Sequence, residues 1–172
     1  MNVFKISTIV ICLFILFACK ENNFETKSET NSEIVPPLTF QGEVVAIKDG
    51  DTYEVLNNGK AQTIRLAHID CPEKKQAFGS KAKMFASNLC FGKIVIVSSE
   101  GKMDRYKRLI AEVLLQDGTN VNQELVKNGL AWHFKKYSDS KEYAELEIQA
   151  RNNKVGLWRE SNPIAPWDWR RK

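Results

Sequence analysis

Histidine and cysteine are scarce, with two of the first and four of the second in the chain. His68 and His133 lack the spacing of a ligand pair, which argues against a zinc site. Long hydrophobic runs are scarcer still: the one at residues 9–17 stops at Ala18-Cys19-Lys20, too short and too abruptly bounded for a stable membrane span. No internal repeat is present, which argues against a solenoid or a propeller. Neither sign of charge dominates, since the formal net charge is only +4, a mild excess that hints at an anionic ligand without establishing one. What is there, 172 residues at 43% hydrophobic and 27% charged, fits one globular domain with a real core and leaves little for a second.

The apolar run reads as an export leader, residues 1–18, preceded by the single basic residue Lys5. Its end, Leu16-Phe17-Ala18-Cys19, resembles the bacterial lipoprotein signal, in which the cysteine is lipidated and becomes the new N-terminus. The alternative is an ordinary cleaved secretion signal with Cys19 incidental. Acylation of Cys19 would hold the domain at a membrane surface, in the cell envelope and facing away from the cytoplasm. Residues 19–37 are polar, rich in Glu, Asn, Ser and Thr, and closed by Pro36-Pro37, so they read as a tether. The folded domain is then 38–172 and retains Cys71 and Cys90. Export permits a disulfide between them, but Cys90 falls on the apolar face of an expected helix, where a buried thiol packs as a small hydrophobe.

Strands are expected at residues 39–47, 52–56 and 61–69, because Asp49-Gly50 and Asn58-Gly59 are strong turn signals between β-branched or alternating runs. From Ser80 the period changes: Ala82, Phe85, Ala86, Leu89 and Cys90 line one helical face, and Gly92 stops the helix. Residues 93–99 and 109–115 give two further strands. Asn120 with Gln123 looks like a capping pair for a helix that Gly129 ends, and residues 140–153 form the last helix, with Tyr143, Leu146 and Ala150 inward. This order predicts an α+β fold, a five-stranded OB-fold β-barrel with three helices.

Asp49 and Asp51 flank Gly50 in one turn, and Asp70 and Glu73 close the third strand. If the barrel brings these turns together, their mutual repulsion calls for a cation. Oxygen donors suit Ca²⁺, Mg²⁺ or Mn²⁺, and Ca²⁺ is favoured because its flexible coordination accepts backbone carbonyls, here that of Cys71, and waters. Arg65 stands between Ile64 and Leu66, where an arginine must reach a partner or solvent. Together with Asp104-Arg105-Tyr106-Lys107-Arg108 it offers two guanidinium groups that fork onto a phosphate from different sides. The ending Ala165-Pro166-Trp167-Asp168-Trp169-Arg170-Arg171 is expected to pack its aromatic rings on the barrel in preference to stacking them on a ligand, with the final basic residues as a solvated tail.

The runs Asp49-Gly50-Asp51-Thr52, Ile64-Arg65-Leu66, Ile69-Asp70-Cys71-Pro72-Glu73, Asp104-Arg105-Tyr106-Lys107-Arg108 and Val121-Asn122-Gln123-Glu124-Leu125-Val126, continued at Gly129-Leu130-Ala131, resemble in order and spacing the thermonuclease, or staphylococcal nuclease-like, family. The resemblance covers roughly residues 40–158 and implies Ca²⁺-dependent hydrolysis of DNA and RNA; affinity carried by phosphate contacts and base stacking would read little sequence and favour single-stranded or frayed substrate, and a monomer is expected. By position it makes Asp51, Asp70 and the Cys71 carbonyl the metal ligands, and Arg65, Glu73 and Arg108 the catalytic residues. Tyr106 and Tyr137 fall where the family places tyrosines near the nucleotide. Two positions depart from the family pattern: Cys71 replaces a threonine, and Lys107 stands where a glycine commonly precedes the arginine. A lysine there costs on the order of 1 kcal/mol if the turn needs positive φ. The competing reading is an OB-fold lipoprotein that binds nucleic acid without cutting it.

Overall fold

A computed structural model describes residues 38–171. The expected leader, the lipidation site Cys19 and the tether through Pro37 lie outside the described residues.

Three strands open the domain: β1 (Leu38–Ile47), β2 (Thr52–Asn57) and β3 (Lys60–Leu66). They pair antiparallel through the two turns read from sequence. β3 ends earlier than its apolar run, because His68 takes φ +68° and breaks the extended chain. Beyond the break lies a separate two-residue strand, β4 (Ile69–Asp70). The expected single strand at 61–69 is therefore two, turned apart just after Arg65.

Helix α1 (Gly79–Cys90) comes next, then β5 (Ile94–Ser99) and β6 (Leu109–Leu115). These close a barrel in the order β1-β2-β3-β6-β5, with β3 and β6 parallel. Helix α2 (Val121–Lys127), β7 (Trp132–His133), α3 (Lys141–Asn152), a 3-10 turn (Gly156–Arg159) and a short α4 (Pro166–Trp169) complete the described chain. β7 pairs with β4, placing Asp70 opposite Trp132.

The five barrel strands and the three larger helices match the expected α+β barrel. The core follows the period-2 rule, since alternate residues of each strand turn inward. Val55, Ile64, Leu66, Val97 and Val113 are fully or almost fully buried. On α1 the buried Ala82, Ala86 and Cys90 lie at four-residue intervals, as the helical period requires. Cys71 and Cys90 are both free, buried thiols.

Helix α2 is set by its cap and by one buried amide. Asn120 accepts from the backbone N–H of Asn122 and Gln123, the N-cap pattern. The Asn122 side chain accepts from Val113 N at 3.1 Å and donates to the carbonyls of Ala67 at 3.1 Å and Ala111 at 3.2 Å. It thus ties α2 to β6 and to the turn that aims β4. Each such bond in a dry core is worth about 1 kcal/mol, so Asn122→Ala should lose roughly 2 to 3 kcal/mol of unfolding free energy. Denaturant melts of the two proteins measure this, and a midpoint equal to wild type would show that the three bonds carry no net stability.

Candidate active site

The two acidic turns meet because Gly50 lets them. A Cβ at Gly50 would fall 2.8 Å from the Cβ of Cys71 and 2.9 Å from its Sγ, so only glycine brings the 49–51 turn down onto the β4 end. Cys71 N donates to Asp51 Oδ2 at 2.6 Å, and Leu66 N donates to the Asp51 carbonyl at 2.9 Å. Asp51 N in turn donates to Asp49 Oδ1 at 3.1 Å. Asp51 and Asp70 are both buried.

Arg65 answers the question its position poses. Ile64 and Leu66 point into the core, so Arg65 points to the opposite face of β3 and toward the carboxylates. Its Nη1 donates to the carbonyls of Leu66 at 2.7 Å and Ile69 at 2.9 Å, across the break created by His68. Its Nη2 lies 3.0 Å from Asp70 Oδ1 and 3.4 Å from Asp51 Oδ2. Burial alone would lower the pKa of this guanidinium, but Asp51 and Asp70 outweigh it and raise the pKa, so Arg65 is a permanent cation.

Arg108 arrives from the loop before β6. Its Nε and Nη2 engage Asp104 Oδ2 at 2.7 and 2.6 Å, and its Nη1 donates to Thr52 Oγ1 at 3.0 Å. Thr52 sits opposite Arg65 in the β2–β3 register and donates its hydroxyl to Asp51 Oδ1 at 3.3 Å. One hydroxyl therefore links the second arginine to the acidic turn. Lys107 has φ +60°, so the expected left-handed residue before Arg108 is present, and its strain is held by a backbone bond to Asp104 at 3.0 Å.

Glu73 lies in the loop leading to α1. A Cβ on Gly79 would come within 2.0 Å of the Glu73 carbonyl, so the glycine that opens α1 fixes how closely this loop lies on the helix. Gln76 holds the same loop by accepting from Glu73 N at 3.1 Å. Tyr106 and Tyr137 are 64% and 71% exposed. Arg105 and Arg108 lie over the Tyr106 ring, and Lys136 lies over that of Tyr137. Both tyrosines border the open cleft that holds Asp51, Arg65, Asp70 and Glu73.

The sequence-predicted site residues of the described domain thus gather at one cleft. Three partners were not legible as such: Thr52, Gln76 and Arg170. The Arg170 guanidinium reaches Asp70 Oδ2 at 2.6 Å and Glu73 Oε1 at 2.7 Å, so it is not the solvated residue its place in the sequence suggests. The aromatic tail packs on the domain in preference to standing free, but on β7 and the residue after it and not on the barrel strands: Trp167 is stacked on Phe134 at 5.3 Å and edge-on to Trp132 at 5.6 Å. His68 and His133, far apart in sequence, both bond Ser138 Oγ, at 2.9 and 3.0 Å.

The donor set fits a hard cation held openly. Among the described residues, no group of three or more His, Cys, Asp or Glu side chains is placed to hold a metal ion by itself. Two carboxylates, Asp51 and Asp70, both within 3.4 Å of one Arg65 nitrogen, offer a partial oxygen set that waters and a phosphate oxygen would complete. The Asp49 carboxyl is lifted to about 6, chiefly by burial and then by the neighbouring Asp51. Burial also raises Asp70, against the opposing bonds from Arg170 and Arg65. The Cys71 thiol is pushed up by burial and by Asp51, so its sulfur is not a thiolate ligand and only its backbone carbonyl suits the role.

The closed five-stranded barrel thus carries an arginine–carboxylate cleft. Residues 63–160 match the family described as staphylococcal nuclease homologue. The chain is 46% identical over 130 residues to a protein of Haemophilus influenzae named "Uncharacterized endonuclease", covering 75% of this chain and 72% of that one. An Escherichia coli protein of the same name is 42% identical over 133 residues, covering 77% and 86%. The "Micrococcal nuclease" of Shigella flexneri is 43% identical over 143 residues, covering 77% and 81%. The chain belongs to the staphylococcal nuclease family.

Proposed function

We propose that the protein is a calcium-dependent endonuclease that hydrolyses phosphodiester bonds of DNA and RNA with little sequence specificity. The observation that carries this reading is the convergence of Arg65 and Arg108, linked through Thr52, on the cleft that also holds Asp51, Asp70 and Glu73. Asp51, Asp70 and the Cys71 carbonyl would hold the metal, which when bound supplies a Lewis acid for a phosphate oxygen and orients a water. Glu73 accepts the proton of the attacking water. Arg65 and Arg108 neutralise charge growing on the equatorial phosphate oxygens, and neither gives up a proton, because guanidinium stays protonated. Tyr106 and Tyr137 stack on unpaired bases, which favours single-stranded or frayed substrate and leaves sequence largely unread.

The leader and Cys19 support a lipid-anchored place in the cell envelope, outside the cytoplasm, with the domain acting as a monomer on a polar tether.

Digestion of plasmid DNA and of RNA by the purified protein tests the reading. Cleavage in calcium, its loss on chelation and its return with excess calcium are expected. Cleavage indifferent to chelator would remove the metal from the mechanism. Retained binding without cleavage would make the protein a nucleic-acid-binding module.

A further inference from the structure

The C-terminal tail is built into the acidic site. Gln76 joins the two: its Oε1 accepts from Glu73 N at 3.1 Å, and its Nε2 donates to the Ile164 carbonyl at 2.6 Å. Ala165 and Pro166 are buried, and Trp167 lies flat on Phe134, with 2° between the ring planes. None of these contacts involves Arg170, yet together they bring its guanidinium to the carboxylates. There it forks onto both Asp70 oxygens, Nη2 to Oδ2 at 2.6 Å and Nη1 to Oδ1 at 3.3 Å, while Nη1 also reaches Glu73 Oε1 at 2.7 Å.

Asp70 is consequently shared by two guanidinium groups, with Arg65 at 3.0 Å from Oδ1. A divalent ion bound through Asp70 needs lone pairs on these same oxygens, at roughly 2.3 to 2.6 Å for calcium. Placing it there would set a doubly charged ion beside a fixed cation, so one of the guanidinium groups must yield. Arg65 cannot, since it is pinned by two backbone carbonyls and its side chain is 13% exposed. Arg170 can, since its side chain is 43% exposed and holds carboxylates only.

Resting on the metal site of the proposed function, we propose that Arg170, which also pairs with Glu73, is a tethered cation that competes with the divalent ion for Asp70, so that tail docking and metal binding oppose each other. By linkage, metal weakens the tail's hold by the same factor by which the tail weakens the metal's. The affinity of the site for calcium is thereby set below what its carboxylates alone would give, and activity is confined to calcium-rich surroundings.

Calorimetric titration of calcium into the full chain, its Arg170→Gln variant and its Trp167→Ala variant tests this. Arg170→Gln should bind calcium about tenfold more tightly, within the range of ordinary coupling between sites. Trp167→Ala keeps every charge but loosens the tail, so it should shift affinity in the same direction by a smaller factor. Tryptophan fluorescence of the wild type should change with calcium at the calorimetric midpoint, reporting the tail leaving Phe134. Unchanged or weaker calcium binding by Arg170→Gln, where the wild type binds calcium, overturns the competition and leaves the metal site standing. An unshifted affinity in Trp167→Ala overturns tail docking as its basis. No calcium binding by any of the three overturns both the competition and the metal site.

Discussion

Arg65→Ala should lose about 10² to 10³ in turnover, the cost of removing one preorganised donor to a developing oxyanion. Its effect on folding should be as pronounced. Arg65 bonds two carbonyls and two carboxylates at the seam where β3 gives way to β4, and no other described residue of the site faces all four. Removing one partner of a buried ion pair costs about 3 to 5 kcal/mol, because the remaining charges stay buried without compensation. Asp51 is the more exposed to this loss, since Asp70 retains Arg170.

Lysine is the informative replacement. One ammonium cannot reach both carbonyls and both carboxylates in the plane a guanidinium occupies. Arg65→Lys should therefore recover part of the melting temperature and little of the rate. Thermal melts and steady-state cleavage of the three proteins separate the two roles. Turnover like wild type in Arg65→Lys would mean that a point charge suffices, and the fork geometry would lose its place in the mechanism.

The features legible in the sequence are the local ones. Asp49-Gly50 and Asn58-Gly59 announce their turns, Asn120 caps the helix that begins just after it, and the four-residue spacing of Ala82, Ala86 and Cys90 marks the buried face of α1. The odd position of Arg65 flags the site because an arginine within an apolar run needs a partner nearby, and its partners lie one to five residues onward, at Leu66 and in β4, with Asp51 in the neighbouring turn. The break at His68 is not legible in this way. Its positive φ is stabilised by β4 pairing with β7, which stands more than sixty residues away, and by Arg65 bridging the carbonyls on either side. Arg170 illustrates the same limit, for it contacts an aspartate one hundred residues earlier. No spacing rule reports a contact of that span. The one available signal is the pair of tryptophans just before it, since aromatic side chains that dock a tail also fix the residues next to them.

Glu73→Gln should keep the fold and the substrate and lose about 10² to 10⁴ in the chemical step, the usual contribution of a positioned proton acceptor. The substitution is nearly isosteric, and the loop's anchors are outside the side chain: Gln76 holds its backbone N–H, and Gly79 packs against its carbonyl. The side chain is 41% exposed, so neutralising it has little effect on the melting temperature. The amide oxygen still accepts from Arg170, which leaves the tail close to its wild-type place. The loss is of basicity, at a carboxylate whose bonding partner is the exposed Arg170 and not the pinned Arg65. Single-turnover cleavage of a labelled oligonucleotide at saturating enzyme isolates this step from binding and product release. Anisotropy of the same oligonucleotide in calcium should give an affinity close to wild type. A single-turnover rate equal to wild type would move the base elsewhere and reduce Glu73 to a partner of Arg170.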